Sequence, residues 1–208
     1  MPNAPGKRPV CTTHAPTRAR QSAPRAIAIL SALVLLCNAA PFARQAPTPD
    51  VIRRAAHFLE NATFGPTAGT IAAVAATGPD AWIDQQVALP ESAMPDGLDT
   101  NQVRAQLLLN MANGADQLRQ RVMFALSQTI VVSANKTGSG PELIPWVRLL
   151  SRNAFGNYRT LLTEVTVSPT MGKYLDLAYS RKASATSAPN ENYPRELMQL
   201  FTIGRSVS

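Results

Sequence analysis

Cysteine is nearly missing from this 208-residue chain: Cys11 and Cys37 are the only two, and both fall in the first 40 residues. Everything after them must therefore do without disulfides, zinc–thiolate sites or a thiol nucleophile. Histidine is equally scarce, with His14 early and His57 alone thereafter, so any metal beyond residue 40 would need oxygen ligands. Alternating strand patterns, internal repeats and heptad runs are missing too. No serine sits in a nucleophile elbow, and neither a phosphate-binding loop nor a dinucleotide fingerprint occurs, which leaves no motif for cofactor binding. What survives these absences is chemistry built on carboxylates, amides and arginines, or no chemistry at all.

Acidic residues are outnumbered, giving a formal charge of +7, but the excess is unevenly placed. Residues 1–50 hold Lys7, Arg8, Arg18, Arg20, Arg25 and Arg44 against Asp50 alone, and the remainder carries fourteen basic and twelve acidic side chains. A nucleic-acid binder keeps a basic stripe on its folded part. This chain does not, and no nucleic-acid partner is expected.

The early basic residues precede an uncharged apolar run over 26–37, which is followed by the small residues Asn38, Ala39 and Ala40. Basic segment, apolar segment and small-residue exit are the order of a secretory signal; an uncleaved N-terminal anchor and a buried helix are the alternatives. The run is shorter than the roughly 20 residues that span a bilayer. Cleavage after Ala39 would place Cys37 and Ala39 at the small-residue positions, whereas cleavage after Ala40 would leave the disfavoured Pro41 just past the cut. Leu36 is too large to precede a lipidated Cys37. Arg53-Arg54 follows the apolar run instead of preceding it, which is not the twin-arginine order. The expectation is a signal peptide over 1–40 with a long basic start, a proline-rich linker over 41–50, and an exported body with no stable membrane span.

From residue 51 the apolar residues recur at three- and four-residue steps. Ile52, Ala55, Ala56, Leu59 and Ala62 mark a first helix closed by Gly65-Pro66. Thr67 is placed to cap a helix over 68–76 that stops at Gly78, and Pro79 suits the first position of the next. Further helices are expected over 102–112, 116–133, 142–155 and 157–167. Ser168-Pro169 starts another, and the last runs over 192–203. Helix 116–133, with Leu118, Val122, Phe124, Leu126, Ile130 and Val131, is expected to be the most buried, with Arg119 and Arg121 on its surface. The fold class is all-α: a helical bundle or array with essentially no sheet. Phe58, Phe64, Trp82, Phe124, Trp146, Phe155, Tyr174 and Phe201 fall at core spacing.

Several segments together resemble one family. They are Ala56-His57-Phe58-Leu59 with Ala62-Thr63-Phe64-Gly65-Pro66-Thr67, the run from Leu118 to Gln128, Arg152-Asn153-Ala154-Phe155-Gly156-Asn157-Tyr158, the run from Val167 to Asp176, and the run from Pro189 to Gly204. In this order they are similar to the domain of unknown function numbered 1800, a family of mostly exported bacterial proteins. The resemblance implies no particular reaction. It does imply a longer protein, because family members usually continue for a few hundred residues beyond the Asn-Glu-Asn-Tyr motif, and Arg205-Ser206-Val207-Ser208 looks unlike that continuation. The resulting expectation is an incomplete N-terminal portion, poorly stable alone. Its 192–203 helix would then be covered by a protein partner or by a missing C-terminal portion.

The densest polar cluster is Asn190, Glu191, Asn192, Tyr193, Arg195 and Glu196. Glu191 with Arg195, and Asn192 with Glu196, are four apart and would meet on a helix surface. Two carboxylates, an arginine and two amides could hold a metal through oxygen, orient a water or grip an anion. The plainer reading is helix capping by Asn192 with an ordinary Glu191–Arg195 ion pair. Pro194, where the resembled family usually has alanine, belongs in a first helical turn; it starts the helix at Asn192 or Tyr193 and weakens the pairing of Glu191 with Arg195. Glu164 and Asp176 are the other carboxylates near the matched motifs. His57, beside Arg53 and Arg54, reads as a surface residue, and Arg119, Arg121 and Arg152 as bridges between helices. Two function classes stay open: a non-catalytic surface or assembly protein, and an extracytoplasmic enzyme or ligand-binding protein using residues 190–196.

Overall fold

Local capping signals set most of the helix boundaries in the computed structural model, which describes residues 46–204, all within the unit Ala46–Ser208. The expected signal peptide, its cleavage site and the last four residues lie outside the described residues.

Pro49 and Asp50, expected in a linker, open the first helix α1 (Pro49–Ala62): proline suits a first position, and Asp50 in the first turn pairs with Arg53 and Arg54. Thr67 caps α2 (Ala68–Thr77) with a reciprocal box, its hydroxyl accepting from the Thr70 N–H at 3.1 Å. Gly78, at φ 89°, joins α2 to α3 (Pro79–Ala88) in a conformation that favours glycine. Asp99 caps α4 (Thr100–Asn113) in the same way as Thr67. There follow α5 (Gln117–Thr129), the single turn α6 (Ala134–Thr137) and α7 (Gly140–Arg152). Asn157 caps α8 (Tyr158–Thr166) through the N–H groups of Arg159 and Thr160, and Ser168-Pro169 begins α9 (Pro169–Tyr174). A 3-10 turn (Leu177–Tyr179) precedes α10 (Asn192–Gln199). Among the described residues the only β pairing is an isolated bridge between Ser184 and Ser187, so the all-α array stands.

Three differences from the sequence reading have physical reasons. The expected helix 116–133 ends at Thr129, and Ile130–Val132 is neither helix nor strand: Ile130 leaves helical geometry and is fully buried as an anchor, while Val131 is exposed. The most buried helix is α7, not α5. Gly140, Leu143, Ile144, Trp146, Leu149, Leu150 and Ser151 of α7 are all buried, against Arg119, Gln120 and Met123 of α5. The last helix also stops at Gln199, several residues before 203.

The central position of α7 follows from its neighbours. It packs on α4, α5, α6, α8 and α9. Gly140 lets the start of α7 also lie against the loop before α4, since a Cβ there would lie 1.8 Å from the Leu98 carbonyl oxygen. Pro145 interrupts the ladder of α7 by withholding a donor from the Pro141 carbonyl, and both prolines lie on the exposed side of the helix.

Two cores result. Leu59 and Ala55 of α1, Val74 of α2 and Trp82 of α3 form one, with Phe58 edge-on to Trp82 at 5.4 Å. The other gathers Met123, Ile130, Trp146, Leu150, Leu161, Val165 and Met171, closed at the far end of the sequence by Tyr193 and Phe201. Each fully buried large side chain stabilises by roughly 1.5–3 kcal/mol. In the last segment only part of the apolar set is used: Tyr193 and Phe201 are buried, while Met198, Leu200 and Ile203 are exposed.

Candidate functional site

Asp176 is the pivot of the polar cluster. Following α9, it is the only non-glycine among the described residues with a positive φ, at 59°, a conformation that asparagine and aspartate tolerate better than other side chains. Its backbone turn aims the carboxylate between two segments distant in sequence. From α6, the Lys136 ammonium donates to Asp176 Oδ2 at 3.0 Å and to the Tyr174 carbonyl at 2.6 Å. From α10, Asn192 Nδ2 donates to the same Oδ2 at 3.3 Å.

The cluster continues along the start of α10. Arg195 Nη2 donates to Asn192 Oδ1 at 2.9 Å, and Nη1 donates to Glu191 Oε1 at 2.9 Å. Glu196 Oε1 lies 3.7 Å from Arg195 Nε. Asn190 Oδ1 accepts from the Asn192 N–H at 2.9 Å, and the Asn190 N–H donates to Ser180 Oγ at 3.2 Å. The structure thus brings Asn190, Glu191, Asn192, Arg195 and Glu196 together and adds Asp176, Lys136 and Ser180.

The expected cap is displaced by one or two residues. Glu191, not Asn192, occupies the N-cap position, and Asn190 supplies the side-chain acceptor. The Glu191–Arg195 pair survives the start of the helix at Asn192, because the residue just outside the first turn still lies one turn from Arg195. Asn192 is paired with Arg195 and Asp176, and not with Glu196. Tyr193 holds the segment down: it is 3% exposed and its hydroxyl meets that of Thr166 at 2.7 Å. Burial raises its pKa above the ordinary value, with the Thr166 hydrogen bond opposing.

Glu164 is not part of this cluster. It accepts from Asn153 Nδ2 at 2.9 Å and from Arg152 Nη2 at 2.6 Å. The Asn153 amide, then the Arg152 guanidinium, hold its carboxyl below the usual range. Among the described residues no three His, Cys, Asp or Glu side chains gather as metal ligands. His57 is exposed, 3.8 Å from Glu60.

A second polar knot was caught only in part by the sequence reading, which expected Arg119 and Arg121 to bridge helices but used Asp116 only as a helix start and placed Arg119 on the surface. Asp116 is 1% exposed and Arg119 8%. Asp116 accepts from the Ser92 N–H at 3.0 Å, from the Ser92 hydroxyl and from Gln120 Nε2 at 3.1 Å. Arg119 Nη1 donates to the Ser151 carbonyl at 3.0 Å, and its guanidinium stacks 4.7 Å from the Phe155 ring centre. Arg121 reaches the Asn61 carbonyl at the end of α1, at 3.1 Å. The available signal was the density of polar residues over 116–121 in an otherwise apolar helix.

Both knots join segments far apart in the chain, which defines the class: an all-α array whose helix ends are fastened by side-chain networks. The family model described as "Protein of unknown function (DUF1800)" matches residues 57–207, and the chain belongs to that family. No curated protein and no solved structure matches it.

Proposed function

We propose that this is an exported, non-catalytic surface or assembly protein in which residues 190–196 serve as a clasp. The observation that carries the reading is that the cluster's polar groups are turned on one another. Arg195 holds Glu191 and Asn192, Asn192 holds Asp176, and Asp176 holds Lys136. A catalytic constellation instead converges on a point where a reacting atom can sit. Export rests on the charged, apolar and small-residue order of residues 18–40.

Alanine at Asp176 and at Asn192, which hold the clasp together, tests the functional part in the native host. A structural clasp loses phenotype and melting temperature together; lost phenotype at unchanged melting temperature would replace it with a ligand or enzyme site. Mass spectrometry of the host protein tests export, with an N-terminus near residue 40 expected and an intact Met1 in the cytoplasmic fraction contradicting it.

One observation favours the enzyme or ligand reading as an alternative. Asp176 has a left-handed backbone within a partly exposed polar cluster, and strained backbone gathers at functional sites. Asp176→Asn keeps the turn and one oxygen acceptor. Under the clasp reading it changes stability only slightly and leaves the phenotype intact; under the alternative it abolishes the phenotype in a folded protein.

A further inference from the structure

Between α4, α5 and α7 lies a cleft of about 180 Å³ that the clasp does not use. Its walls are apolar, including Leu107 and Met111 of α4, Met123 of α5, and Trp146 and Leu150 of α7. An apolar cavity of about 150 Å³ suffices for a benzene ring, so this one has room for a single ring or a short alkyl chain. Two methionines in the wall let it adjust to the shape of the occupant. Phe124 also lines it and is 38% exposed, which places one end of the cleft at solvent.

Two polar side chains touch the cleft, and they differ in what they offer. The Ser127 hydroxyl already donates to the Phe124 carbonyl at 2.6 Å and has no proton left to give. Arg104 is exposed, and its guanidinium makes one hydrogen bond, from Nη1 to Asn101 Oδ1 at 3.2 Å. Among the described residues no carboxylate lies within ion-pair distance of it, and its remaining N–H groups are available. An apolar slot beside an uncommitted guanidinium is complementary to a molecule with a short apolar tail and an anionic head. We infer that this cleft is a binding site for a short-chain carboxylate. The tail would lie against Met123 and Trp146, and the carboxylate would accept from Arg104.

The test uses the full chain with two probes of equal tail and different head, hexanoate and 1-hexanol, followed by the methionine methyl signals of Met111 and Met123. Hexanoate should shift both signals in a saturable way. Arg104→Gln should weaken hexanoate by about twofold to fivefold, the range of one partly exposed charge contact, and leave hexanol unchanged. Ser127→Phe, which fills the slot from a half-buried position, should abolish the response to both. Unmoved methyl signals at tens of millimolar hexanoate would overturn the site. So would equal loss of both probes on Arg104→Gln, or full binding by a folded Ser127→Phe. If Ser127→Phe does not fold, Arg104→Gln at its exposed position decides the matter by itself.

Discussion

The two polar knots do the same job in different solvents. Asp116 and Arg119, almost wholly buried, tie the 89–99 loop and the end of α7 to α5. Asp176, Asn192 and Arg195 tie α6 and α10 to the turn after α9, with Asp176 at 36% and Arg195 at 41% side-chain exposure. Removing one partner of a buried charged pair strands the other without water, whereas an exposed partner is resolvated at once. The difference teaches that polar density in sequence is a poor guide to energetic weight. The conspicuous run 190–196 should matter less to stability than the inconspicuous Asp116.

The largest effect is therefore expected at Asp116→Ala. It leaves Ser92 and Gln120 without their shared acceptor, strips the buried Arg119 of the carboxylate 3.8 Å from its Nε, and should destabilise by about 3–5 kcal/mol, read from denaturant unfolding. A value under 1 kcal/mol would erase the contrast between the knots. Asn192→Ala, which loses the contacts to Asp176 and Arg195, should destabilise by about 1–2 kcal/mol.

Acid sharpens the same comparison through Glu164, a partly exposed carboxylate. Its folded pKa is depressed by Asn153 and Arg152 below the ordinary 4.5. Its contribution is complete above the unfolded value and disappears as pH falls through the lower folded one. Stability curves of the parent and Glu164→Gln should therefore differ above pH 4.5 and draw together below it, and a gap that widens with acid would contradict the assignment. Glu191→Ala should have the smallest effect, within about 0.5 kcal/mol, because that carboxylate is 80% exposed.

What was legible in the sequence was local. Thr67, Gly78-Pro79 and Ser168-Pro169 fix helix ends by chemistry within three or four residues, and the structure keeps those ends. Burial was less legible. Periodicity shows that a helix has an apolar face but not how many neighbours cover it, so α5 was ranked above α7 although Phe124 and Val131 remain exposed. The members of the 190–196 cluster could be chosen from their density, but Lys136 and Asp176, which lie 40 residues apart, could not be assigned to it. Their meeting depends on how α6, α9 and α10 pack, and no local spacing encodes that.

The clasp itself is tested most directly by a double-mutant cycle on Asp176→Ala and Asn192→Ala, with stability measured by denaturant unfolding at neutral pH. If these residues are retained to fasten α10 to the turn after α9, each single change destabilises. The pair should then show a coupling of about 0.5–1.5 kcal/mol, as expected of side chains in one hydrogen-bonded network. Unchanged stability in both single variants together with zero coupling would mean the cluster fastens nothing, and would contradict the account.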